Sequence, residues 1–485
     1  MTFLNDSVDS NNSVDSVDSI DLVNLGKADY SMDFRSLIYA HNDQLKKETG
    51  SNPTFFIQTY GCQMNSRDSE KLTALIIQLG YNPAESQENA DFILYNTCCV
   101  RDSAESKIWG HLSRLKRLKT EKPNLIIGIC GCMSQQPEVA QQFKDKHKYV
   151  NLVFGTVNPH RLPEFLWKAL TTGKQVVDIT TDGALPEITG IPVTTREYPH
   201  KAGVNIMYGC DNYCSFCIVP YVRGREKSRP VNDILDEVKL LVDDGVKEIM
   251  LLGQNVNSYN SENETFAGLL YRVNEIEGLK RIRFMTSHPK DFSDEVIVAV
   301  RDLNKICKSV HLPLQSGSTP ILLDMNRKYT QQDYLTLIEK LYLAIPDVAI
   351  STDIIVGYPG ETEEDFQETL KVVHKAKFST AFTFMFSPRS GTPAANLPII
   401  PSEIVSDRFN RLIEVLNPIL LERNNSKIGK TLNVMVEDIV DDSIKGRTDD
   451  HTLVHFKTTS PAKPGDIIPV LINSAKTFYV MGATL

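Results

Sequence analysis

The chain has 485 residues, a formal net charge of −9, 41% hydrophobic and 23% charged side chains. Single cores rarely exceed roughly 250–300 residues, so two or three domains are expected, and no apolar run approaches the ~20 residues of a membrane span. Nine cysteines in a chain this long, bunched rather than dispersed, exclude a disulfide-stapled secreted fold and point to metal ligation in a reducing, cytoplasmic setting.

Residues 1–50 carry −5 of the net charge and include the repeat VDSNNSVDSVDSID. Such a stretch cannot bury a core and is expected to be an acidic, disordered extension, with a helix over 31–50 leading out of it. The remaining chain is nearly neutral, so local basic patches, not the total charge, decide whether it meets nucleic acid.

Residues 51–180 alternate strand and helix: TFFIQTY, a helix from about Asn65, DFILYNT, a helix from about Ser103, LIIGICG, another helix, then LVFG and VVDI. That alternation predicts a parallel α/β sheet. Three strand ends carry thiols: Cys62, Cys98 and Cys132. Parallel strands bring their carboxyl ends to one edge, so these three are expected to converge. Cys98 and Cys99 should point to opposite faces of a regular strand, whereas Cys130 and Cys132 share parity and geometry alone leaves them unseparated. The helix over KIWGHLSRLKRLKTEK sets Ile108, Leu112, Leu115 and Leu118 on one stripe and six basic residues elsewhere, a face suited to phosphate or simply to water.

Residues 181–200, rich in Pro and Gly turns, read as a linker. From 201 to 425, VNIMY, EIMLLG, RIRFMT, SVHLPL, ISTDIIVG and FTFMFS recur with helices between them. Six such units predict a partial (β/α)6 barrel. Just after its first strand comes GCDNYCSFC, which places Cys210, Cys214 and Cys217 at C-x3-C-x2-C spacing. Structural zinc wants a fourth nearby ligand, and none follows, Cys307 being distant. Three thiolates suit a 4Fe-4S cluster with one iron left free. VRGREKSRP then adds Arg223, Arg225, Lys227 and Arg229, candidates for a nucleic-acid backbone or for ion pairs. Polar groups at later strand ends, Gly253, Gln254, Asn255, Ser287, Gln315 and Ser316, are candidate cofactor contacts where barrel loops gather. Residues 426–485 are β-rich without helices, predicting a small antiparallel barrel.

The central cysteine motif in its barrel context resembles the radical S-adenosylmethionine superfamily. Together, TYGCQMN, NTC followed by VR, GCM, GCDNYCSFC-IVPYVRG, LLGQNVN, TSHP, HLPLQSGS, VGYPGET and SPRSGTPAA resemble the methylthiotransferase family from about Thr54 to the end. The terminal barrel resembles the TRAM module, a small RNA-binding barrel. The resemblance implies two 4Fe-4S clusters, an auxiliary one on Cys62, Cys98 and Cys132 and a radical one on Cys210, Cys214 and Cys217. Cys99 departs from the family, which usually has a non-cysteine there, and either Cys99 or Cys130 could substitute as a ligand.

The activity implied is methylthio transfer to C2 of N6-dimethylallyladenosine beside the tRNA anticodon. S-adenosylmethionine would be both radical source and methyl donor, as an unactivated C–H bond demands radical chemistry. Sister activities on threonylcarbamoyladenosine or a ribosomal aspartate are alternatives, as is a non-catalytic RNA-binding cluster protein. Implied partners are a tRNA anticodon stem-loop, a flavodoxin- or ferredoxin-type low-potential electron donor and a sulfur source, with no membrane and a monomeric chain.

Overall fold

The computed structural model describes residues 33–99, 102–180, 196–441, 443–458 and 460–484. The acidic repeat and most of the 181–200 segment lie outside the described residues. The helix expected over 31–50 spans Phe34–Thr49, started by the Asp33 side chain accepting from Arg35 N and stopped by Gly50 at φ 84°. It is not a free tail, for Ile38 is buried against the first domain and Asn42 Nδ2 donates to Leu79 O at 2.8 Å.

The first domain is a six-stranded parallel sheet in the order Asn82–Pro83, Thr54–Thr59, Phe92–Thr97, Ile126–Gly131, Leu152–Phe154, Val176–Asp178. Helices cover both faces, so the central strands Phe92–Thr97 and Ile126–Gly131 are wholly buried and read as continuous apolar runs. The two-residue edge strand was illegible in the sequence because NP reads as a turn. An edge position tolerates the proline, which lacks a ladder N–H.

Six parallel strands follow in chain order: Lys201–Asn205, Glu248–Leu252, Arg281–Phe284, Ser309–His311, Ala349–Val356 and Thr380–Met385. They form two three-stranded sheets joined by a parallel bridge between Ile282 and Ile306. Along Ala349–Val356 the side chains of Ile350, Ile354 and Val356 enter the core under the outer helices, while Ser351, Asp353 and Ile355 are half-buried on the concave face. That alternation sets the core face apart from the half-buried inner face of the partial barrel, its lumen.

The last domain is a closed five-stranded barrel. It is not antiparallel throughout, since Leu453–Lys457 pairs in parallel with Val480–Thr484. The final strand slips between the third and fourth, and closure dictates its direction. This barrel docks where the central strands begin. Arg281 donates to Arg447 O and Asn433 O, both at 2.8 Å, and Arg283 to Asp449 O at 2.9 Å and Thr448 O at 2.7 Å. Glu248 balances them, 3.0 Å from Arg283 and 3.4 Å from Lys201. Burial opposes its ionisation, but Arg283, Lys201 and Arg281 outweigh it and hold the carboxyl down to about 2.

Candidate active site

The first thiol set hangs on a tight loop. Gly209 has φ 70°, and a Cβ there would lie 2.1 Å from Arg225 O, so only glycine lets the chain leave the strand this way. Cys210 N donates to Gly224 O at 3.2 Å and Cys217 N to Cys214 O at 2.9 Å, folding Cys210, Cys214 and Cys217 together. Two side chains donate to these sulfurs: Asn212 Nδ2 lies 3.5 Å from Cys210 Sγ and Arg327 Nη1 3.4 Å from Cys214 Sγ. Burial, then the neighbouring Cys214 and Cys210, pushes the Cys217 thiol up to about 12. Three soft sulfurs on one loop, two of them met by N–H donors, fit an iron-sulfur cluster.

The second set joins residues from three strand ends. Asn65 organises it: its Nδ2 donates to Tyr60 O and Thr97 O, both at 2.9 Å, pinning the strand ends that precede Cys62 and Cys98. Its Oδ1 stands 4.0 Å from Cys62 Sγ and 3.9 Å from Cys132 Sγ. Cys98 packs against Gly61, where a Cβ would fall 2.4 Å from Cys98 Cβ.

Parity failed for both cysteine pairs. The strand Phe92–Thr97 ends before Cys98, so alternation no longer applies, and Cys99 also turns inward to hydrogen-bond Cys132, an interaction that lowers Cys132 and raises Cys99. Conversely, Gly131 at φ 98° reverses the chain between Cys130 and Cys132. Cys130 therefore lies in the apolar core with Phe55, Leu72 and Leu94, and Cys132 in the opposite core with Ile218 and Val222. Among the described residues no three Cys, His, Asp or Glu side chains form a single-ion site. A cluster of several atoms needs its thiols held apart.

The loops that carry the two sets touch across the domain boundary. The short helix Val219–Arg223 leaves Cys217, and its Ile218 and Val222 sink into the first domain's core. Arg223 Nη2 donates to Asn65 Oδ1 at 2.7 Å and to Asp68 Oδ2 at 3.1 Å. Arg229, also buried, donates to Glu237 at 2.6 Å. Neither is available to an RNA backbone, so of the two readings of that basic run the ion-paired one holds for Arg223 and Arg229. Exposed Arg225 is paired with Asp211 at 2.8 Å.

Of the strand-end candidates, Ser287 has a buried hydroxyl without a partner, beside His288, whose Nε2 is likewise buried and unpaired. Gln315 sits at φ 65°, a strained conformation for a non-glycine residue, while its N–H donates to Asp353 O at 2.8 Å. Gln254 donates to Met64 Sδ across the domain boundary. Gly253 is fixed by packing, since a Cβ would lie 2.5 Å from Met207 Cγ. Asn255 spends both ends locally, donating to Asp291 at 2.7 Å and accepting from His288 N at 3.0 Å. Ser316 accepts from Ser318 N at 3.2 Å. Those two positions shape loops. In VGYPGET, Gly357 makes room for Val405, which a Cβ would meet at 2.6 Å.

The lumen holds groups the sequence reading passed over. His311 Nδ1 lies 2.9 Å from Ser351 Oγ and its Nε2 3.5 Å from Asp353. Phe382, paired in register with Asp353, is 43% exposed and meets the His311 ring at 6.1 Å. The alternation of Phe382 and Phe384 in FTFMFS is the sequence signal for that face. The basic helix behaves as expected on its apolar side, with Ile108, Leu112, Leu115 and Leu118 buried, while Lys107, Lys116 and Arg117 are exposed.

Residues 204–373 match the Radical SAM superfamily model, and residues 54–155 the one described as Uncharacterized protein family UPF0004. The chain is similar to the tRNA-2-methylthio-N(6)-dimethylallyladenosine synthase of Acetivibrio thermocellus, 47% identical over 450 residues that cover 91% of this chain and 93% of that relative. The Caldicellulosiruptor saccharolyticus enzyme of the same name is 50% identical over 422 residues, covering 86% and 89%.

The chain belongs to the tRNA-2-methylthio-N(6)-dimethylallyladenosine synthase family.

The likeness to a solved radical S-adenosylmethionine methyltransferase, TsrM from Kitasatospora setae, is one of fold: TM-score 0.52 at 15% identity over 71% of this chain and 77% of that one. No helix among the described residues is long and apolar enough to cross a membrane.

Proposed function

We propose that this chain transfers a methylthio group to C2 of N6-dimethylallyladenosine in tRNA, with S-adenosylmethionine as both radical source and methyl donor. The reading is supported by the loops that carry the two thiol groups, which touch across one domain boundary through Arg223, Ile218 and Val222 in a member of this family. When bound, the two 4Fe-4S clusters and S-adenosylmethionine supply the one-electron chemistry that an unactivated C–H bond requires.

Cys210, Cys214 and Cys217 hold the radical cluster, with Asn212 and Arg327 donating to its ligand sulfurs. Cys62, Cys98 and Cys132 hold the auxiliary cluster, and Cys99, hydrogen-bonded to Cys132, is the thiol best placed to replace one of them. Gln254, Ser287 and Gln315 line the S-adenosylmethionine site, joined by His288. Burial, then Arg327 and Lys290, holds the His288 imidazole down to about 2, so it stays neutral and can donate from Nε2 without adding charge.

The half-exposed wall of Phe382, Phe384 and Ile355 receives the flat base and its prenyl chain, with His311, Ser351 and Asp353 on the polar side. Lys107, Lys116 and Arg117 attract the phosphates of the anticodon stem-loop, and the terminal barrel adds a second RNA surface. A low-potential flavodoxin- or ferredoxin-type donor and a sulfur source complete the cycle around a monomeric, cytoplasmic enzyme.

Nucleoside analysis of tRNA from cells lacking this gene tests the reading. The 2-methylthio form of N6-dimethylallyladenosine should disappear and return with the native gene but not with Cys62→Ala. Its persistence in the deletion strain, or its restoration by C62A, would refute the assignment.

A further inference from the structure

We infer that Arg223 is the positioning residue of the auxiliary site, holding a positive charge against the Cys62, Cys98 and Cys132 set and so making its cluster easier to reduce. This rests on the ligand assignment above.

Four observations converge on it. The Arg223 side chain is only 5% exposed, so its charge acts through little water. It reaches Asn65 Oδ1 at 2.7 Å, the same oxygen that lies within 4.0 Å of the Cys62 and Cys132 sulfurs. Its field falls on both thiols, Cys132 foremost. And it is carried by the helix Val219–Arg223, which begins two residues after Cys217, so the residue facing one cluster is rigidly linked to a ligand of the other.

A salt bridge that merely fastened two domains would not need to stand among thiols. Here the cation is shared between a carboxylate, Asp68 at 3.1 Å, and the sulfur set. Asp68 offsets part of the field, so the two residues should act in opposite directions. Iron-sulfur potentials follow local charge and hydrogen bonding, and an added positive charge favours the reduced cluster, which carries one more electron.

The test uses the full chain, reconstituted anaerobically. Iron and sulfide near eight of each per chain, falling to about four when Cys210, Cys214 and Cys217 are all replaced by alanine and likewise when Cys62, Cys98 and Cys132 are, establishes the ligand assignment independently. If native protein holds about four, that assignment is wrong and the inference falls with it. In the triple-alanine background, EPR-monitored redox titration then compares Arg223→Gln, Arg223→Lys and Asp68→Asn.

R223Q should disfavour reduction at least tenfold, a shift of about −59 mV for one electron. D68N should shift it the other way, and R223K should stay within about threefold of native. Equal midpoints in R223Q and the native residue, or shifts of the same sign in R223Q and D68N, overturn the inference. If R223Q does not load iron, R223K and D68N decide: a near-native midpoint in the first with a raised one in the second supports the charge, and any other outcome refutes it.

Discussion

Replacing Glu237 with glutamine tests whether the first domain is locked to the central barrel by buried charge. The Glu237 carboxylate lies 2.7 Å from Arg67, on the helix Gln63–Gln78, and 2.6 Å from Arg229, in the loop after the radical-site motif. Both arginine side chains are nearly sealed from solvent, at 3% and 5% exposure. Burial works against the charge, but Arg229, Arg67 and Lys71 overcome it and hold the carboxyl from its usual 4.5 down to about 2. At 1.36 kcal/mol per pH unit that gap corresponds to about 3 kcal/mol. Removing one partner of a buried ion pair independently suggests about 3–5 kcal/mol.

Because the folded-state value is depressed, this contribution is complete above pH 4.5. It is lost as pH falls toward 2, where the unfolded chain takes up the proton first. E237Q should therefore melt about 6–12 °C below native protein at pH 7, using about 2–4 °C per kcal/mol for domains of this size. The gap should narrow below pH 4.5. Thermal denaturation followed by circular dichroism at pH 7, 4.5 and 3 measures it. A difference under 2 °C at pH 7, or one that stays constant to pH 3, would refute the reasoning.

Gly61→Ala places a Cβ 2.4 Å from Cys98 Cβ at φ 114°, against a comfortable 3.5–4.0 Å; Cys98 must shift by about 1 Å, and iron content should drop from about eight to about four per chain while S-adenosylmethionine cleavage persists. Native loading of G61A would argue that Cys98 is not a ligand. The double change Lys107→Ala, Lys116→Ala should reduce the slope of log affinity for tRNA against log salt by about 1.5, at 0.7–0.9 per phosphate contact, whereas an unchanged slope would place the RNA elsewhere. Phe382→Ala should lower kcat/KM on prenylated anticodon stem-loop by about 5- to 150-fold, the equivalent of about 1–3 kcal/mol of base stacking, with little change in melting; undiminished turnover would remove the lumen wall from the substrate site.

Strand-helix alternation, the C-x3-C-x2-C loop and the apolar stripe at Ile108, Leu112, Leu115 and Leu118 are written in local spacing, because period and turn chemistry act over a few residues. For the same reason the sequence alone specified the two α/β alternations, the helix-free terminal segment and the two clusters of thiols. What local spacing cannot carry is where a regular element stops. Cys99 turns toward Cys132 although its neighbour Cys98 packs on Gly61, because the strand ends at Thr97, and Cys130 parts from Cys132 because Gly131 adopts φ 98°. Nor can it tell a basic residue that meets solvent from one that meets a carboxylate. Arg223 and Arg229 read equally as RNA-facing or ion-paired until the tertiary structure buries them on Asp68 and Glu237, residues 155 and 8 positions away. Burial and long-range pairing are properties of the assembled chain, and they alone decided which charges hold the domains, which stands against the Cys62 and Cys132 thiols, and which stay exposed to solvent.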